Sequence, residues 1–77
     1  MKFYVYAGYY ELFISSEPMP EPYMYQAEFD NLDEAINFAE EWDDTIHYCE
    51  NIREYMPEWL KEILDENNEW FNLQKVN

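Results

Sequence analysis

This 77-residue chain is short of several things at once, with one cysteine, one glycine, one histidine and only four basic residues. A lone Cys49 forms no internal disulfide, which fits a reducing compartment. One glycine leaves no Gly-rich loop to cradle a phosphate, and no serine elbow or zinc-ligand spacing is present either. No segment approaches the ~18 consecutive apolar residues of a membrane span. The N-terminus (Met1-Lys2-Phe3-Tyr4-Val5-Tyr6) lacks the apolar run and small-residue cleavage site of a signal peptide, so a cytoplasmic location is expected.

Catalytic groups are as scarce as basic ones. His47 and Cys49 are two positions apart. On a helix they would point apart, and on a strand they would share a face with no evident orienting group, so the sequence predicts no nucleophile–base pair. The expected roles are a core position for Cys49 and a surface or half-buried one for His47. The acidic clusters DNLDE (30–34) and EEWDD (40–44) lack the twelve-residue spacing and central glycine of an EF-hand. No enzyme activity, cofactor or specific metal site is expected.

What the chain does have is apolar material and negative charge. It is 48% hydrophobic and 21% aromatic, with eight Tyr, five Phe and three Trp. Such content argues for a folded single domain over residues 1–77, because acidic disordered chains are poor in aromatics. A domain this small buries only ~60% of its unfolded surface and is therefore marginally stable. Eighteen acids against four bases give a net charge of −14. That field repels phosphates, disfavouring nucleic acid and anionic membranes as direct partners and favouring a basic protein.

The punctuation of the chain predicts its elements. Residues 2–14, aromatic and β-branched, read as strand, with Gly8 at a bulge or bend. SSEPMPEP (15–22), with three prolines in five residues, is a loop. Residues 23–29 read as a second strand with Tyr23, Tyr25, Ala27 and Phe29 on one face. Asp30 or Asn31 caps a helix whose apolar stripe is Leu32, Ala35, Ile36, Ala39 and Trp42. Ile46, Cys49, Ile52 and Met56 predict a short helix over 45–55, with a strand as the alternative. Pro57 suits the first residue of another helix, with Trp59, Leu60, Ile63 and Leu64 inward, ended by Asn67-Asn68. Residues 69–76 alternate as a closing strand. These elements predict an α+β fold: a small antiparallel sheet of about three strands with two or three helices packed on one face. Trp42 and Trp59 are expected in the core. The six tyrosines of the first two strands suit either a core whose hydroxyls reach water at its edge or exposed anchors for a partner.

The charge is segregated. Residues 28–69 hold fifteen acids against Arg53 and Lys61, while the other thirty-five residues hold three acids and two bases. A solvated face built for solubility ordinarily mixes signs. The predicted contact residues are Asp30, Asp33, Glu34, Glu40, Glu41, Asp43 and Asp44, with Glu58, Glu62, Asp65 and Glu66 as a second patch. Acids one helical turn apart repeat every ~6 Å along an axis, and a DNA strand carries a phosphate every ~3.4 Å, so carboxylates on packed helices can imitate a sparse phosphate array.

In its length, its charge and the stretches EFDNLDEAINFAEEWDD and EWLKEILDENNEW, the chain resembles the small acidic DNA-mimic inhibitors of phages and mobile elements, the antirestriction and anti-CRISPR proteins. FYVYAGYYELF followed by an acidic helix is similar to the opening of the ArdA-type antirestriction family. The resemblance is one of class and transfers no residue by position. It implies an inhibitor that fills the DNA- or PAM-binding groove of a CRISPR effector or a restriction–modification enzyme. The alternative is an acidic interaction module for another basic partner, such as an antitoxin or a nuclease immunity protein. A housekeeping phage protein is a third reading, and a second copy of the chain is a further candidate partner.

Overall fold

The computed structural model describes residues 1–73. Its elements are β1 (Phe3–Gly8), β2 (Glu11–Ser15), β3 (Met24–Phe29), α1 (Leu32–Glu40), β4 (Thr45–Cys49), a 3₁₀ helix (Glu50–Tyr55), α2 (Glu58–Glu66) and β5 (Trp70–Phe71). The class is α+β, as expected, but among the described residues the sheet has five strands in the order β3-β1-β2-β4-β5 rather than about three. It is also mixed: β1 runs antiparallel to β2 and β3, while β2–β4 and β4–β5 are parallel.

Two local differences from the sequence expectation produce the larger sheet, and a third shortens its last strand. Residues 2–14 form a hairpin, with Tyr9-Tyr10 as the turn between Gly8 and Glu11. Tyr10 takes the left-handed φ of 61°. Gly8 does not, and its lack of a side chain serves a close approach instead: a Cβ there would lie 3.2 Å from the Phe13 ring. Second, residues 45–49 are strand β4, followed by the 3₁₀ helix. The helix-like spacing of Ile46, Cys49 and Ile52 is coincidental, since Cys49 and Ile52 enter different clusters on opposite faces of the sheet. Third, β5 among the described residues is Trp70–Phe71: Glu69, Asn72 and Leu73 of the expected closing strand are not strand, and residues 74–76 lie outside the described residues.

The expected shared face of Tyr25, Ala27 and Phe29 is also broken. β1 pairs Val5 with Ala27 but Tyr6 with Tyr25, so Gln26 is an extra residue in β3. The bulge sends Tyr25 to the face of Tyr6 while Phe29 turns to the helices.

Among the described residues two apolar clusters result. Between sheet and helices lie Phe3, Val5, Leu12, Ile14, Leu32, Ala35, Ala39, Ile52, Met56 and Leu64. On the opposite face Tyr6, Phe13 and Cys49 are covered by Met19 of the proline loop, with Tyr23, Phe71 and Leu73 at the margin. That loop is tied down by Asn51: its Oδ1 accepts from Ser16 N (2.9 Å) and its Nδ2 donates to Ser15 Oγ (3.0 Å) and Glu17 Oε2 (3.3 Å). Helix α1 is capped by Asn31, whose Oδ1 accepts from the backbone N–H of Asp33 (2.8 Å) and Glu34 (3.3 Å).

Candidate interaction surface

The predicted acids fall into two groups when their partners are traced. Asp30 accepts from Lys2 Nζ at 2.7 Å, an ion pair across the sheet edge that lowers its pKa. Asp65 is held by both nitrogens of the Arg53 fork (Nε at 3.1 Å, Nη2 at 2.8 Å) and by Trp70 Nε1 at 2.6 Å. The guanidinium and then the indole N–H lower the Asp65 pKa. Glu58 pairs with Lys61 at 3.0 Å. Asp30, Glu58 and Asp65 are therefore predicted contact residues whose charge is already met by a cation of the same chain.

These pairs occupy Lys2, Arg53 and Lys61; Lys75 lies outside the described residues. Among the described residues, no ion pair reaches Asp33, Glu34, Glu40, Glu41, Asp43, Asp44, Glu62 or Glu66. Six of these follow α1 and its C-terminal turn, and two lie on the outer side of α2.

Helix docking decides where the aromatic groups lie relative to this charge. α2 turns Leu64 into the core (6% exposed) but leaves Trp59 64% and Ile63 44% exposed. Trp42, beyond the end of α1, is 40% exposed. The two tryptophans expected in the core are thus surface residues. The four apolar positions of α2 form one ordinary amphipathic face, and the docking buries its Leu60/Leu64 side while leaving the Trp59/Ile63 side outside.

Trp59 lines a groove of about 540 Å³ between α1 and α2. Tyr48 of β4, Ile36, Pro57 and Leu60 supply the rest of its apolar lining, and Asp33, Asn37 and Glu40 of α1 supply the polar side. Positions 33, 37 and 40 form one stripe by helical spacing. Burial, then the nearby Glu40 carboxylate, raises the Tyr48 pKa. Sequence reasoning missed this groove because Tyr48 and Ile36 reach it only through the strand parity of β4 and the separation of the helices, neither of which leaves a local signal.

The other face of the sheet carries His47, half-buried as expected. Its Nε2 lies 2.9 Å from Glu11 Oε1, and its ring stacks on Phe13 with centroids 5.0 Å apart. Glu11 is an orienting group that the sequence reading did not find. Cys49 is buried, and burial pushes its thiol pKa up to about 12, opposite to the activation a nucleophile needs. Among the described residues no group of three His, Cys, Asp or Glu side chains is placed to hold a metal ion, and no helix is long and apolar enough to cross a membrane. Comparison with family models, with curated proteins and with solved structures finds no match to this chain.

Proposed function

We propose that this protein is a non-enzymatic acidic inhibitor, acting in the bacterial cytoplasm, whose helical layer occupies the nucleic-acid-binding groove of a host defence complex, either a CRISPR effector or a restriction–modification enzyme. One observation carries the reading: eight of the predicted contact carboxylates have no cation partner among the described residues, while Lys2, Arg53 and Lys61 are already paired. Self-repulsion of this kind costs stability, and a basic groove that releases its own counterions relieves it. Attraction between opposite fields also gives fast association that weakens with salt.

The test is inhibition of DNA binding by a purified effector or restriction enzyme. Wild type competes with duplex DNA, and competition weakens as salt rises. The variant with Glu40, Glu41, Asp43 and Asp44 all changed to Lys loses competition while its circular dichroism spectrum is retained. A folded variant that competes as well as wild type refutes the reading. A second reading, an antitoxin or immunity module, draws on the exposed Trp59 and Ile63, since a pure phosphate mimic has no use for an apolar patch. Such a module binds its one cognate toxin even when the toxin's nucleic-acid groove is mutated.

A further inference from the structure

The groove between α1 and α2 differs chemically from the acidic surface around it. Its walls are apolar (Ile36, Tyr48, Leu60, Trp59), its α1 lip carries Asp33 and Glu40, and no described cation fills it. Its volume of about 540 Å³ lies within the range of sites that enclose a small ligand or a few side chains. Asp33 and Glu40 are seven residues apart, hence ~10.5 Å along the helix axis, too far to chelate one ion together. Each carboxylate instead suits a separate donor. The exposed face of Trp59 offers a ring on which a planar cation can lie.

We propose that this groove receives an arginine side chain, flanked by aliphatic residues, from a partner polypeptide. The guanidinium satisfies three features at once. Its donor fork pairs with Asp33 or Glu40, its plane stacks on the Trp59 indole, and its methylene stem together with the flanking aliphatic groups covers Ile36, Leu60 and Tyr48. A lysine, a compact and strongly hydrated charge, gains less from the ring and from the carboxylate geometry. The inference rests on the helical layer being the binding face, and it names the chemistry that the partner presents there: a basic protein surface with an arginine knob, as distinct from a smooth field of positive charge.

The probe is the synthetic peptide acetyl-Leu-Arg-Ile-Arg-Leu-amide, titrated into the full chain and followed by two-dimensional NMR, with its citrulline and lysine counterparts as controls. Saturable shifts are expected at the Trp59 indole N–H, Ile36 and Asn37. Citrulline, which keeps the shape and loses the charge, weakens binding about tenfold or more, and lysine weakens it at least about threefold. Trp59→Ala and Glu40→Gln each weaken it about fivefold, whereas Glu34→Gln and Glu41→Gln, one position round α1 toward solvent, change it by less than about twofold.

Shifts spread evenly over all the acids, equal binding of the lysine peptide, or indifference to Trp59→Ala overturns the proposal. The wider functional reading fails separately. If the peptide does not select the groove but the four-lysine variant still loses DNA competition, the inhibitor reading stands and the arginine pocket falls. If the groove binds the peptide and the four-lysine variant competes with DNA as well as wild type, the pocket stands and DNA mimicry falls.

Discussion

Trp59→Ala and Leu64→Ala truncate two apolar residues one helical turn and a fraction apart on α2, and the structure assigns them opposite energetic roles. Leu64 is 6% exposed and belongs to the main core. Its truncation removes buried methyl groups and leaves a cavity between α2 and the sheet, a loss of about 2–5 kcal/mol. Trp59 is 64% exposed, so roughly a third of a side chain that can bury up to ~250 Å² is covered. At ~25 cal/mol per Å², those ~90 Å² represent at most about 2 kcal/mol. The alanine keeps part of that contact and is the better helix former, leaving a net cost of about 1 kcal/mol or less. Total stability for a chain of this length is about 4–12 kcal/mol, so Leu64→Ala brings the domain close to unfolding while Trp59→Ala barely shifts it. Urea titration followed by far-ultraviolet circular dichroism, at one fixed salt concentration because of the −14 charge, measures both. Equal destabilisation by the two variants refutes the docking of α2 described here, and with it the groove.

Asn51→Ala should lower stability by about 1–3 kcal/mol, because it leaves the buried Ser15 hydroxyl and the Ser16 N–H without their Asn51 partners; a thermal midpoint within a degree of wild type contradicts that role. Cys49 should resist a thiol reagent in the native state and react fully in denaturant. Its folded pKa of about 12 stands above the ordinary 9.0, so burial favours the protonated thiol: the stability it contributes is complete below about pH 9 and is lost as pH rises from there toward 12. Cys49→Ala should flatten that part of the stability–pH curve, and an unchanged alkaline slope shows the thiol is not responsible.

Helix α1 was legible in the sequence because everything it needs is local. Asn31 lies two and three residues before the N–H groups it caps, and Leu32, Ala35 and Ala39 recur at one-turn spacing and are buried as expected. The proline loop and α2 were legible for the same reason. β4 was not, because a five-residue strand leading into a 3₁₀ turn places apolar residues three apart, as a helix does. The sheet was underestimated because parallel partners lie far apart in the chain: Leu12 pairs with Ile46 and Tyr48 with Trp70 across crossovers that leave no local signature. The bulge at Gln26, which moves Tyr25 to the other face, is equally silent in the residue pattern.

The candidate surface divides in the same way. Composition and order alone set the −14 charge, its concentration in residues 28–69, and the outward acids of α1 at helical spacing. Only the tertiary structure decided which acids are neutralised. Lys2 meets Asp30 and Arg53 meets Asp65 because the strand pairing and the docking of α2 bring them within 3 Å. Only packing, too, left Trp59 outside while Leu64 went in. An apolar stripe on a helix sets which residues can turn inward, and the angle at which the helix docks decides which of them do.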